Sequence, residues 1–124
     1  MKFRFVDIVY TKQDGVAKII MNRPETYNAF RDVTLKEMIR ALSDASMDKS
    51  IGVVVLTGAG DKAFSSGGDV EWEAKGGLER MHEDPLDIHE AMRNCPKPII
   101  ARVNGYAIGG GHHMAYFCDF SIAA

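Results

Sequence analysis

Cysteine is scarce: there are two in 124 residues, Cys95 and Cys118. Their spacing is not that of a metal-ligand pair, and among apolar neighbours they read as buried thiols rather than as a disulfide or a nucleophile. Charge of one sign is also lacking, with 17 acidic against 15 basic side chains and a net charge of −2. No polybasic footprint exists, which argues against nucleic acid or an anionic membrane surface as a partner. No apolar run approaches the about 20 residues a membrane span needs. The N-terminus meets Lys2, Arg4 and Asp7 before any signal-like apolar stretch, so the expected location is cytoplasmic. There is no internal repeat, no Gly-x-Gly-x-x-Gly and no Gly-Lys-Ser/Thr, which disfavours the cofactors bound by those loops.

Glycine is plentiful instead: eight of the 12 fall between positions 58 and 68 or between 105 and 111. Glycine permits positive φ and close approach of backbone to a ligand, so this clustering points to backbone put to a specific use. The length suits one soluble domain, and 46% of the residues are hydrophobic.

Alternating and apolar runs over residues 3–10 and 15–21, with a turn around Lys12-Gln13-Asp14-Gly15, predict an opening β-hairpin. Leu35, Met38, Ile39, Leu42 and Ala45 have helical spacing and predict an amphipathic helix from Asp32 to Met47, capped by Asp32 or by a Thr34/Glu37 box. The β-branched run 51–57 reads as a strand buried on both faces. Residues 58–69 are expected to form a glycine-rich loop, and 70–84 a mobile or partly helical stretch. A helix is expected over 85–94, ended by Cys95-Pro96. Ile99 to Val103 reads as a second buried strand, Asn104-Gly105 as a turn, Gly109 to Cys118 as a helix and Asp119 to Ile122 as a further strand. This order is α/β.

Both glycine stretches follow a buried strand. Amides at such turns lack intrachain acceptors and can receive an anion or an oxygen that becomes negative during reaction; the same glycines also suit tight turns and close packing. Asp69 is placed to cap and orient loop amides or to act as a base. Trp72 is a pocket wall or a small satellite core. His112 and His113 lie about 100° apart on a helix and cannot both face one site. His82 and His89 lack a ligand set, so no metal site is expected.

Four ordered blocks carry a resemblance: Asn22-Arg23-Pro24 with Asn28-Ala29-Phe30; residues 58–69, ending Phe64-Ser65-Ser66-Gly67-Gly68-Asp69; Pro96-Lys97-Pro98; and Asn104-Gly105-Tyr106-Ala107-Ile108-Gly109-Gly110-Gly111. Together they resemble the crotonase superfamily, the enoyl-CoA hydratase/isomerase family. The resemblance implies a spiral of ββα units, of which residues 1–124 would be the N-terminal part with the C-terminal half absent. It implies an acyl-CoA thioester as partner, coenzyme A arriving as part of the substrate with no separate cofactor, and a homo-oligomer, trimeric or hexameric in a full-length parent. It also implies that the Gly68 and Gly110 amides form an oxyanion hole for a thioester enolate. Substrate and CoA contacts would fall on Glu25, Tyr27, Asn28, Ala29, Lys62, Phe64, Ser66, Gly67, Trp72, Tyr106 and His112.

Family hydratases carry a catalytic glutamate two residues after the glycine triplet, where this sequence has His113, a substitute base in that reading. With His112, Asn28-Ala29-Phe30-Arg31, Thr34 and Glu37-Met38-Ile39, the chain is closer to 1,4-dihydroxy-2-naphthoyl-CoA synthases and to hydrolases that open 2-ketocyclohexanecarboxyl-CoA. Val70-Glu71-Trp72-Glu73 departs from the naphthoyl synthase loop. The expected chemistry is carbon–carbon bond formation or ring opening on a cyclic or aryl acyl-CoA. The alternatives are enoyl-CoA hydration or isomerisation, and a non-catalytic acyl-CoA-binding or structural fragment.

Overall fold

Asp14 and Gly15 both take positive φ, 53° and 80°, closing a two-residue turn of the kind that matches strand twist. It joins β1 (Ile8–Gln13) to β2 (Val16–Met21), which run antiparallel with Ile8 opposite Met21. The computed structural model describes residues 3–80 and 87–123. The first strand begins at Ile8 rather than Phe3, and the reason is chemical. The amides of Val6 and Asp7 donate to the two carboxylate oxygens of Glu37, both at 2.7 Å, and so leave the ladder. Phe3 and Phe5 stack on each other at 5.0 Å and meet Tyr10 edge-on.

Helix α1 (Asp32–Met47) has the expected bounds and buries Leu35, Met38, Ala41, Leu42 and Ala45. Its start differs from the expected cap. Arg31 is the N-cap residue, its amide donates to Thr34 Oγ1 at 3.1 Å, and Glu37 is occupied by Val6 and Asp7. Thr34 in turn donates to Asp7 Oδ2 at 2.6 Å, and Arg31 grips the same carboxylate through Nε and Nη2, both at 2.8 Å.

Strand β3 (Val53–Gly58) is followed by the three-residue β4 (Ala63–Ser65), inside what the glycine content alone suggested was loop. Two short helices follow, α2 (Val70–Ala74) and α3 (Gly77–Arg80), so the 70–84 stretch is partly helical where described. His82 and the expected helix start at Pro85 lie outside the described residues. Helix α4 (Ile88–Arg93) begins at Asp87, whose carboxylate accepts from the Glu90 amide at 3.0 Å. Then come β5 (Ile99–Val103), the two-residue β6 (Tyr106–Ala107), α5 (Gly110–Phe117) and β7 (Phe120–Ala123).

The main sheet has the order β1-β2-β3-β5-β7, parallel except for the first pair, and β4 and β6 form a small parallel pair of their own. Ile19, Val54, Leu56, Ile99 and Ala101 of the sheet meet Leu35, Met38 and Leu42 of α1 and Ile88 and Met92 of α4 in one core. Strands β2, β3 and β5 have hydrogen-bonded neighbours on both edges, but β3 and β5 are not buried on both faces as expected: Val54, Leu56, Ile99 and Ala101 are buried, whereas Val53, Val55 and Ile100 on the other face are half-buried and Arg102 is exposed. Edge strand β7 exposes Phe120 and Ile122, and α5 exposes Tyr116. Among the described residues no helix is long and apolar enough to cross a membrane.

Burial works against the Asp7 charge, but hydrogen bonds from Arg31 and Thr34 outweigh it and hold the carboxyl below the ordinary carboxylate range. The stability it contributes is therefore present above its unfolded value of about 3.9 and is lost as pH falls through the lower folded value. We expect Asp7→Asn to lower the unfolding free energy at pH 7 by about 1–3 kcal/mol and to flatten the acid limb below about pH 4. Urea unfolding across pH checks both; an unaltered acid limb contradicts the assignment.

Candidate active site where two glycine loops meet

After β2, Pro24–Thr26 form one 3-10 turn, and Tyr27 and Asn28 follow with φ of 54° and 57°. Asparagine tolerates this left-handed conformation, and the Asn28 side chain then does local work. Its Nδ2 donates to the carbonyls of Ala59 (3.1 Å) and Ala63 (2.8 Å), and its Oδ1 accepts from the Arg23 amide (2.9 Å). Asn104 staples the same loop from β5, donating to the carbonyls of Gly58 and Gly60, both at 2.7 Å. Ser65 Oγ donates to the Asn28 carbonyl at 2.8 Å and accepts from the Gly67 amide at 3.2 Å.

These anchors bring the two glycine stretches into contact. Gly67 has φ +102°, and a Cβ there would stand 3.0 Å from the Ile108 carbonyl and 3.3 Å from the Gly110 nitrogen. At Gly111 a Cβ would collide with the Ser65 carbonyl. Phe30 lies beneath both loops: its amide donates to the Gly67 carbonyl (2.9 Å), its carbonyl accepts from Asp69 (2.8 Å), and its ring lies against Gly110.

That bridge passes over the Gly68 amide. The Gly110 amide, at the first residue of α5, is one of the helix's orphan donors. Among the described residues neither amide donates a hydrogen bond within the chain.

Asp69 is the N-cap of α2. Its Oδ1 accepts from Glu71 (3.0 Å) and Trp72 (3.2 Å), and its Oδ2 pairs with Arg23 Nη2 (3.2 Å). The Trp72 amide first, then Arg23, against the cost of burial, hold its carboxyl below the usual range. The geometry is that of a loop-orienting cap, and such a carboxylate is a poor proton acceptor.

Two expected contact residues are corrected. Phe64 is fully buried, so its ring belongs to the core instead of a ligand surface. Trp72 is neither pocket wall nor satellite: it is buried in the main core, edge-on to Phe30 at 5.6 Å, with Nε1 donating to Asp32 Oδ1. Cys118 is a buried free thiol, pushed up to about 12 by burial and by Asp119; Cys95 is half-buried and free.

Glu25, Tyr27, Asn28 and Lys62 line one cleft of about 360 Å³ together with Gly60 and Asp61. Ala29 lies buried behind it, and Ser66 ties it to the glycine loop through its amide to the Tyr27 carbonyl (3.0 Å) and its hydroxyl to Thr26 (3.1 Å). Tyr106 is exposed on β6, its amide donating to the Lys62 carbonyl at 3.0 Å. His112 and His113 are both exposed on α5. The His113 ring lies 6.1 Å from His89 and 6.3 Å from Phe117, and His89 stacks on Phe117 at 4.4 Å.

Sequence reasoning missed Arg23, Phe30, Ser65 and Asn104 as the residues that hold the site together. All four stand inside the motif blocks, which was the available signal. It missed Glu73 too, whose carboxylate lies over the Gly68 α-carbon.

The family described as enoyl-CoA hydratase/isomerase matches residues 11–124. The chain is similar to an enoyl-CoA hydratase/isomerase from Xanthobacter autotrophicus Py2, with 35% identity and a TM-score of 0.87 over 97% of this chain and 46% of that one. It is also similar to an enoyl-CoA hydratase from Bacillus anthracis, with 30% identity and a TM-score of 0.85 over 95% of this chain and 47% of that one. The chain thus spans just under half the length of these solved relatives.

Because position 111 meets backbone rather than a movable side chain, Gly111→Ala is expected to force the loops apart. It should cost about 1–3 kcal/mol of stability, as overpacking does, measured by denaturant unfolding. Wild-type stability would show that the loops are not in contact.

Proposed function

This chain belongs to the enoyl-CoA hydratase/isomerase family of the crotonase superfamily, and from that premise we propose that its protein binds an acyl-CoA thioester and stabilises the thioester enolate between the amides of Gly68 and Gly110. One observation carries the reading: two amides that donate to no acceptor among the described residues stand on two loops in contact. Enolate formation moves charge onto the thioester oxygen, and preorganised N–H donors aimed at that oxygen lower the barrier without reorganising during the reaction. Glu25, Tyr27 and Lys62, around the neighbouring cleft, would take the coenzyme A portion, which enters as part of the substrate, while Asn28, buried and bonded to Arg23, Ala59 and Ala63, shapes the cleft wall.

Within the family, we favour carbon–carbon bond formation or ring opening on a cyclic or aryl acyl-CoA, because His112 and His113 follow the triplet where hydratases carry glutamate. Enoyl-CoA hydration or isomerisation is the second reading, supported by the names of the solved relatives. A third is acyl-CoA binding without turnover by these residues alone, supported by the share of those relatives that the chain spans. A homo-oligomer in the cytoplasm completes the reading; exposed Tyr116, Phe120 and Ile122 are available to pack against the rest of the protein or another subunit.

Position 110 admits a paired test, since proline is compatible with the first residue of a helix but has no N–H. Alanine adds a Cβ against Phe30, 2.5 Å from its Cζ, while keeping the amide. Gly110→Pro should lose about 10²–10³ in kcat beyond whatever Gly110→Ala loses, and equal rates in the two variants would remove the amide from the mechanism. Crotonyl-CoA hydration separates the first two readings: robust turnover favours the hydratase.

A further inference from the structure

We propose that Glu73 is the general base of this site, the group that takes the α-proton of the bound acyl-CoA thioester; the proposal rests on the reading of Gly68 and Gly110 as oxyanion donors. A Cβ built on Gly68 would stand 2.6 Å from Glu73 Oε2 and 3.0 Å from its Cγ and Cδ. An amide nitrogen lies about 2.5 Å from the Cβ position of its own residue by standard geometry. The carboxylate oxygen and the Gly68 nitrogen are therefore no more than about 5 Å apart. A thioester oxygen accepting from Gly68 thus brings the adjoining α-carbon into the neighbourhood of Glu73. Glycine at 68 permits this approach, since a side chain there would collide with the Glu73 carboxylate.

Lys75 pairs with Glu71 at 3.1 Å and Arg23 with Asp69 at 3.2 Å. Among the described residues the Glu73 carboxylate enters no ion pair or hydrogen bond. Helix α2 holds it in place: Asp69 caps the first turn, the Glu73 amide donates to the Asp69 carbonyl at 2.8 Å, and the Trp72 indole is bonded to Asp32. The alternatives are less well placed, with Asp69 bonded through both oxygens and the His113 ring grouped with His89 and Phe117.

In the proposed step a Glu73 oxygen forms an O–H bond as the Cα–H bond breaks. The released pair becomes the enolate carbon–carbon double bond, and the carbonyl π pair moves onto the thioester oxygen between the two amides. The same proton returns on reversal, so no oxidant, reductant or co-reactant is required.

The test is exchange of α-hydrogen for deuterium in butyryl-CoA and phenylacetyl-CoA, followed by proton NMR in D2O. The wild-type protein should exchange at least one probe. Glu73→Gln should exchange about 10²-fold or more slowly, the ordinary share of a general base, while binding the thioester in equilibrium dialysis and melting like the wild type. Added formate should restore exchange to Glu73→Ala, and Glu71→Gln should exchange normally. Wild-type exchange by Glu73→Gln overturns the assignment of Glu73 alone. No exchange by the wild type overturns the enolate reading and Glu73 with it.

Discussion

The contact between the Gly67-Gly68 loop and the Gly109–Gly111 turn is the constraint on which the rest depends. It requires positive φ at Gly67 and Gly109 and leaves no room for a Cβ at Gly111. Two donors that find no acceptor among the described residues are thereby held on touching loops by the main chain, which cannot rotate away as a side chain can. Their positions are set before any ligand arrives, the condition under which hydrogen-bond donors contribute most to a developing charge.

The sheet makes that contact possible. Strands β3 and β5 are adjacent and parallel, so the loops that follow them emerge at the same edge, the place where open α/β sheets gather ligands. The small β4–β6 pair carries the same adjacency outward, and Asn28, Asn104 and Ser65 satisfy the carbonyls and amides that irregular backbone would otherwise leave unpaired. Arg23 ties the turn after β2 to α2 through Ala29 and Asp69. The cleft lined by Glu25 and Lys62 and the pair of free amides are consequently parts of one braced unit.

Much of this was legible in the residues. The bounds of α1, the turn at Asp14-Gly15 and the strand 99–103 follow from periodicity and turn chemistry, because local pattern and burial agree there. The four motif blocks identified the family even though each glycine stretch alone was ambiguous. What was not legible depended on tertiary partners: Glu37 looked like half of a capping box, yet the Val6 and Asp7 amides claim it. The family resemblance made Phe64 a ligand contact and the polar stretch around Trp72 made it a pocket wall or a satellite, while both rings turn into the main core. The strands 63–65 and 106–107 are too short for a hydrophobic period to register, and the approach of Glu73 to Gly68 is a property of how α2 is anchored.

The central claim is that both free amides donate to one thioester oxygen, and the carbonyl stretch of a bound ligand reports this most directly. With butyryl-CoA labelled with carbon-13 at the thioester carbonyl, isotope-edited infrared difference spectra should show the carbonyl band of the bound thioester shifted to lower frequency than in water, with part of that shift lost in Gly110→Pro. A bound carbonyl band at its solution frequency would contradict the account.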